Sequence, residues 1–428
     1  MREAKQAPND LPAIYYGQID TYWGVKDYQR KGLCVRAFAV EEANYNAVAL
    51  EDPKGVRVIT LDISYWQYCR SVLGADRWLT TANRAPVDDL ERSPDDRGKW
   101  YRFAVKWEGS RRDGYAYPTY GDEEPRYFEL ISVTSVQASK TPYLRNPPGL
   151  SQTVLQLSPG PSRRRSSSGR PAQSRSSAAV ASWHLTAFHV GQGMCSLASD
   201  GVDGVLLDIG AGIPVLRPRY LHDPTFKNEL SGAVSGLRNV DLVLSHADAD
   251  HWRLLSWDAG IRSKIRHIYV PTGAKQLAFQ DPQVIHKTIA AGDMSFKLSA
   301  TSSLNVYRSK PNPGDDNGHC LVAVFECNGK RALVAGDYVY RRYSTDTHSK
   351  IRALGSLAFD AVVVPHHGDL ASRLNILPAK PGAIAFFSAG THKKYKHPTA
   401  ASRQAHKKSS YAEVCNNTCA DIKGVLLI

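Results

Sequence analysis

The apolar positions fall into two regimes along the chain. In the first, short β-prone runs (Leu33 to Val40, Val56 to Ile63, Tyr101 to Trp107, Tyr127 to Val136) alternate with turn clusters such as Glu51-Asp52-Pro53-Lys54-Gly55 and Asp95-Asp96-Arg97-Gly98. This pattern predicts a small β-rich (α+β) unit with one helix near Tyr65 to Leu73. In the second, from His184 onward, short apolar runs alternate with helical stretches. The runs are Leu185 to Val190, Val205 to Ile209, Asp241 to Ser245, Leu321 to Cys327, Ala332 to Ala335, Ala361 to Pro365 and Ala383 to Ser388. Several end in His or Asp, the placement expected where strand ends of an α/β scaffold present a site. Between the regimes, Ser158 to Ser182 is rich in Ser, Arg, Pro and Gly and has no apolar period. It reads as a disordered linker. The expected organisation is therefore a β-rich domain over 1–157, a linker over 158–182 and an α/β domain over 183–428.

Composition narrows the class. The 428 residues are 42% apolar and 22% charged, which excludes wholesale disorder and a fibrous repeat. The first unit is aromatic, with 5 Trp, 13 Tyr and 3 Phe. Exposed rings could stack nucleic-acid bases, but rings of a β domain more ordinarily form its core. No apolar run approaches the roughly 18–20 residues that span a bilayer, and Met1 to Tyr16 lacks the apolar stretch of a signal peptide. A cytoplasmic protein without a membrane partner is the expectation. The seven Cys form no dense disulfide pattern, and no second pair frames Cys415-x-x-x-Cys419 as a zinc site, so free thiols are expected.

Charge is unevenly divided. Residues 1–150 hold 21 basic and 21 acidic side chains, so residues 151–428 hold 54 − 21 = 33 and 41 − 21 = 20, which is the whole net +13. A concentrated positive field attracts polyanions such as nucleic acid, although a merely solubilising surface has the same composition. Oligomeric state leaves no mark on the sequence.

The chemistry gathers in Leu244-Ser245-His246-Ala247-Asp248-Ala249-Asp250-His251, where four metal-capable side chains follow an apolar strand within six residues. Imidazole and carboxylate suit zinc or manganese, and the scarcity of thiolate argues against purely structural zinc. Ligands spaced in this way can face two ions roughly 3.5–4 Å apart. A charged helix start would explain the aspartates but not the histidines.

His246-x-Asp248-x-Asp250-His251 resembles the signature of the metallo-β-lactamase fold, with Asp in place of the middle His. Further motifs, in order, resemble the hydrolase domain of the DNA-uptake (competence) protein ComEC and its free-standing relatives. They are Phe188-His189-Val190-Gly191-Gln192-Gly193, Leu207-Asp208-Ile209-Gly210, Val334-Ala335-Gly336-Asp337, Pro365-His366-His367-Gly368 and Tyr395-Lys396-His397-Pro398. The resemblance spans about 184–428 and implies a four-layer αββα sandwich with two divalent ions, zinc or manganese, at the edge of two sheets. By position it implies that His246 and Asp248 serve one ion and Asp250 and His251 the other. Asp337 would bridge them, and His367 would complete the second site. His366 would face the substrate, and His397 would supply a proton or positive neighbour to the leaving group. Asp250, His366 and His397 are thus the residues expected nearest the chemical step, in which a hydroxide activated by the two ions attacks phosphorus.

Departures from the family pattern matter. Trp252-Arg253-Leu254-Leu255 stands where the family has a small pair, which predicts a reshaped mouth. Asn317-Gly318-His319-Cys320 replaces the family's Asn-x-x-Ser, leaving Asn317 and His319 candidate contacts to metal or substrate, and Asp369 follows His-His-Gly in place of Ser. ComEC is a membrane channel; this chain lacks its apolar segments, so DNA transport is not implied. The expected activity is a metal-dependent phosphodiesterase acting on DNA or RNA. Lys393, Lys394 and Lys396 would bind the backbone, with Arg403, Lys407 and Lys408 nearby. The alternative is a hydrolase of small phosphodiesters, cyclic nucleotides or lactones. A third reading, a recognition module with a vestigial hydrolase, is disfavoured by the retained ligand positions.

Overall fold

A computed structural model describes residues 11–25, 32–73, 98–137, 140–145, 154–156, 182–274, 276–310, 318–373, 376–392 and 395–428. The linker expected over 158–182 lies outside these residues except for Ser182. The first strands are β1 (Ala13–Val25), β2 (Leu33–Glu41), β3 (Ile59–Ser64), β4 (Tyr101–Trp107), β5 (Gly114–Pro118) and β6 (Arg126–Ser135). They close into an antiparallel barrel in the order β1-β2-β3-β5-β6-β4. Side chains alternate across a strand, so Val35 and Ala37, Leu61 and Ile63, and Phe103 and Val105 fill the barrel from one face. The helix Tyr65–Leu73 follows β3.

The rest of the described chain is mixed α/β. β7 (Val154–Gln156) is followed by β8 (His184–His189), β9 (Cys195–Ser199), β10 (Asp203–Ile209), β11 (Asn239–Val243), β12 (Ile265–Pro271) and β13 (Thr288–Ala291). Then come β14 (Met294–Lys297), β15 (Ser302–Arg308), β16 (Leu321–Cys327), β17 (Lys330–Val334), β18 (Ala358–Phe359) and β19 (Ala361–Val363). The last are β20 (Leu377–Pro378), β21 (Ile384–Phe387), β22 (Ala412–Cys415) and β23 (Lys423–Leu426). One sheet runs β13-β12-β11-β10-β9-β8-β23 and the other β22-β21-β19-β17-β16-β15-β14-β7, with β18 and β20 as a separate pair. Every residue of β10 is buried, as expected of a strand covered on both faces.

Three apolar clusters define the layers. Leu185, Val205, Leu207 and Val243 of the first sheet meet Phe296, Leu304, Phe325 and Val363 of the second, forming a sheet-on-sheet core. The helix residues Leu230, Val234, Leu254, Leu255 and Ile261 cover the outer face of the first sheet. Ile351, Leu354, Tyr338 and Tyr343 cover the outer face of the second. The order helices, sheet, sheet, helices is the αββα arrangement that the resemblance implies.

The barrel is joined to this body by a common core. Phe38, Val40, Leu50, Val58, Trp100 and Tyr120 belong to the same apolar cluster as the helices on the first sheet. Trp252 is the pivot: it is 1% exposed, with ring centroids 5.3 Å from Phe38, 6.1 Å from Tyr120 and 5.5 Å from Phe279. The residue expected to reshape the mouth is instead a buried anchor, because its indole has barrel surface to pack against. Polar contacts seal the joint. Val58 N–H donates to Asp281 Oδ2 (3.1 Å), Gln283 Nε2 to the Tyr120 carbonyl (2.8 Å), and Arg217 to the Gly121 carbonyl. The aromatic richness of the first unit is thus largely core. All seven Cys are free thiols, and no helix among the described residues is long and apolar enough to cross a membrane.

Candidate metal centre

The loop after β11 delivers its four polar side chains because its backbone is clamped on three sides. Met194 N–H donates to the Asp250 carbonyl (3.2 Å), Leu321 N–H to the Ser245 carbonyl (2.8 Å), and Ser245 N–H to Asp208 Oδ1 (2.7 Å). Two glycines permit this closeness: a Cβ on Gly210 would lie 1.7 Å from the Asp250 carbonyl oxygen, and one on Gly336 would lie 2.2 Å from Ser245 Cβ. Ala249–His251 forms one 3-10 turn, which swings Asp250 and His251 inward. Asp337 arrives at the end of β17, immediately after Gly336.

The His-His-Gly loop is strained. His366 and His367 have φ of 50° and 56°, left-handed conformations that cost roughly 1–3 kcal/mol each and persist only where surroundings impose them. His366 N–H donates to the Gly336 carbonyl (3.0 Å), and Thr399 N–H to the Gly368 carbonyl (2.9 Å). These bonds hold the loop between the Asp337 strand end and the His397 loop.

The structure brings most of the expected residues together. Asp337 is central: its Oδ1 lies 3.2 Å from His251 Nε2, and its Oδ2 lies 3.6 Å from both His246 Nε2 and His366 Nε2. Asp250 Oδ2 lies 3.2 Å from His367 Nε2, and Asp250 Oδ1 lies 3.9 Å from His251 Nε2. Asp248, at the open side, has Oδ2 3.5 Å from His246 Nε2. Donor atoms of His246, His251 and Asp337 lie within 4.8 Å of one another, as do those of Asp250, His251 and His367. His251 therefore belongs to both groups, where the resemblance implied a simpler division.

What stands behind the imidazoles matters as much. His251 Nδ1 donates to Asp208 Oδ2 (2.9 Å), His366 Nδ1 to Asp369 Oδ2 (3.0 Å), and His367 Nδ1 to the Ser388 carbonyl (2.9 Å). Those partners only accept, so each Nδ1 carries the proton and each Nε2 turns toward the carboxylates. His246 Nδ1 sits 3.1 Å from Ser245 Oγ. His251 Nε2 and Asp337 Oδ1 are buried, face each other, and have no hydrogen-bond partner. Such atoms are costly unless a cation satisfies them. The donor set fits divalent ions held by nitrogen and oxygen.

The electrostatics agree. Burial alone would depress His251 and His366, but Asp337 with Asp208 holds the first well above the ordinary range, and Asp337 with Asp369 lifts the second to about 9. Burial would raise Asp337 and Asp250; the surrounding imidazoles hold both below the usual carboxylate range. Burial, then His367 and His366, push His397 down to about 4.

Three second-layer residues lacked an assignment from sequence. Asp208 is the penultimate residue of β10, and Asp369, where the family pattern has Ser, accepts from His366 Nδ1. Asp20 comes from β1 of the barrel, where Gln276 Nε2 donates to its Oδ1 (3.3 Å) and to the Ala247 carbonyl (3.2 Å). Burial and the nearby Asp248 raise Asp20 to about 7. No local sequence signal connects residue 20 to the loop at 246. Among the candidate substrate contacts, Lys396 is exposed in the loop of His397, whereas Lys393, Lys394 and Asn317 lie outside the described residues. Arg403 is taken up by Glu413 Oε1 (2.7 Å).

No protein-family model matches the chain, and no curated protein sequence does. Solved structures of similar shape exist. CmlA, a diiron β-hydroxylase from Streptomyces venezuelae, is 12% identical over 57% of this chain and 54% of its own, with a TM-score of 0.35. The chain thus spans about half of CmlA. YhfI from Bacillus subtilis, a metallo-β-lactamase fold protein, is 12% identical over 56% of this chain and 100% of its own (TM-score 0.33). The short form of human tRNase Z is 11% identical over 57% and 99% (TM-score 0.32). At these scores the likenesses carry no functional argument.

Proposed function

We propose that the chain is a metal-dependent phosphodiesterase, a nuclease acting on DNA or RNA, that holds two divalent ions, zinc or manganese. The observation that supports this most is the shared orientation of His251, His366 and His367. Each is pinned through Nδ1 by an acceptor and presents Nε2 to Asp337 or Asp250. Ligating histidines are ordinarily held in this way. His366, given a substrate-facing role by the resemblance, has Nε2 3.6 Å from Asp337 Oδ2 and is reassigned here as a ligand. His246, Asp248 and His366 would hold one ion, Asp250, His251 and His367 the other, with Asp337 between. Bound there, the ions would supply Lewis acidity toward phosphate oxygens and lower the pKa of water.

The chain's own residues do the remaining work. Asp208, Asp369 and the Ser388 carbonyl fix the imidazole rings before substrate arrives. Lys396, with Lys393 and Lys394 beside it in sequence, places positive charge next to His397, where an extended backbone would lie. The net +13, confined to residues 151–428, favours a polyanion. A second reading, a small-substrate hydrolase, draws on one observation: Glu413 neutralises Arg403, one of the basic residues near His397 in sequence.

Incubation of the purified protein and Mn²⁺ or Zn²⁺ with single-stranded DNA, duplex DNA, RNA and bis-p-nitrophenyl phosphate separates the readings. The nuclease reading expects polymer cleavage that chelator abolishes and rising salt suppresses. Cleavage of the small diester alone, indifferent to salt, would establish the second reading. No cleavage of any diester would overturn the phosphodiesterase reading in both its polymer and its small-diester form.

A further inference from the structure

The motif Gly191-Gln192-Gly193 has no part in the site as described so far, yet Gln192 is buried and reaches it. Gln192 Nε2 lies 3.2 Å from His397 Nδ1. The orientation of the amide is fixed independently: Gly390 N–H, which can only donate, points at Gln192 Oε1 (3.4 Å). The Gln192 NH₂ group therefore faces His397, and His397 Nδ1 must accept. The backbone around it is closely packed. Gln192 N–H donates to the Ile213 carbonyl (2.9 Å), and a Cβ on Gly212 would lie 2.0 Å from the Gln192 carbonyl oxygen. A Cβ on Gly390 would lie 1.6 Å from the Ile213 carbonyl oxygen.

His397 is thus the reverse of its neighbours. His251, His366 and His367 carry the proton on Nδ1 and offer an Nε2 lone pair. His397, its Nδ1 occupied as an acceptor, carries the proton on Nε2. An N–H cannot ligate a metal ion, but it can donate to a phosphate or leaving-group oxygen. The ring sits among them, its centroid 5.8 Å from that of His366 and 6.1 Å from that of His367, and is stacked at 22° on Tyr395.

We infer that Gln192 is a positioning residue that locks His397 as a neutral Nε2–H donor, directed to substrate oxygen rather than to metal. The substrate half of this inference rests on the phosphodiesterase reading; the tautomer half does not. The lock also bears on the two tasks that the sequence leaves open for His397, proton supply or a positive neighbour. A ring whose Nδ1 accepts is neutral, so it donates an N–H toward the leaving oxygen and is not a positive neighbour.

The test is made on the full-length, metal-loaded protein with ¹⁵N-labelled histidine, assigning the His397 signals by their loss in His397→Asn. The expected wild-type spectrum has a protonated Nε2 and an acceptor-type Nδ1. In Gln192→Glu the carboxylate accepts instead, so the proton should move to Nδ1. In Gln192→Met the lock should be lost and the tautomers mix. Metal content should stay at the wild-type value in both variants. On a diester with a poor leaving group, Gln192→Glu should lower kcat by about tenfold to a hundredfold with KM nearly unchanged. Bis-p-nitrophenyl phosphate, whose phenolate leaves readily, should lose far less. A wild-type His397 protonated on Nδ1, unchanged tautomers in both variants, or loss of metal with either substitution would overturn the assignment. Should no diester be hydrolysed while the tautomers behave as expected, the phosphodiesterase reading fails and the lock stands.

Discussion

His251 Nδ1 donates to Asp208 Oδ2 across 2.9 Å, with both side chains fully buried. Asp208 sits at φ 57° and its other oxygen receives the Ser245 N–H, so one carboxylate fixes both the ring of His251 and the start of its loop. Removing such a support typically costs 10–100-fold in metal affinity. Asp208→Ala should therefore weaken binding of Zn²⁺ by about that factor, read by competition with a chromogenic chelator. Unchanged affinity would mean that the loop orders itself without Asp208.

Trp252 couples the barrel to the same loop, because its Nε1 donates to the Ala247 carbonyl (2.8 Å) while its ring packs on Phe38 and Tyr120. Trp252→Ala should cost about 3–5 kcal/mol, the usual range for emptying a buried aromatic site. Urea unfolding monitored by far-UV circular dichroism measures this. A loss below about 1 kcal/mol, the size of a surface substitution, would mean that the barrel does not depend on this contact.

The pH dependence has a definite sign. His366 titrates near 9 and His251 well above its ordinary value, against about 6.5 unfolded. The contribution of His366 to the stability of chelator-treated protein is therefore complete below about pH 6.5 and lost as pH rises through about 9, and that of His251 has the same sign. Metal affinity should strengthen over the same interval, since ligands must shed protons. Thermal melts at pH 6, 7.5 and 9 should show the chelated protein weakening while the metal-loaded protein does not. A chelated protein more stable at pH 9 than at pH 6 would contradict the charge arrangement.

Neutralising Lys393, Lys394 and Lys396 together should weaken nucleic-acid binding several-fold and flatten its salt slope by at most about three charges. Hydrolysis of bis-p-nitrophenyl phosphate should barely change, because a short diester does not extend along that loop. Equal losses on both substrates would show that the lysines support the site itself.

Much of this was legible in the chain. The strand ends at Val243, Val334 and Val363 lie within two residues of their apolar runs, because a buried strand announces itself by composition. The helix Tyr65–Leu73 and the strands at Tyr101–Trp107 and Leu321–Cys327 have the bounds their patterns predict. What sequence could not reveal is long-range. Asp20 meets Gln276, Gln192 meets His397 and Phe38 meets Trp252 across separations of about two hundred residues or more, and no periodicity encodes such pairs. Trp252 looked like bulk at a mouth because its partner, a barrel strand, is visible only in three dimensions.

The proposed two-ion site is tested most directly by metal analysis of wild-type protein and Asp337→Ala after reconstitution with excess Zn²⁺ or Mn²⁺ and desalting. Asp337 has one oxygen toward His251 and the other toward His246 and His366. Two ions per wild-type chain and at most one in Asp337→Ala are expected, with an unchanged circular dichroism spectrum. Two ions retained by Asp337→Ala, or none held by the wild type, would contradict the two-ion site.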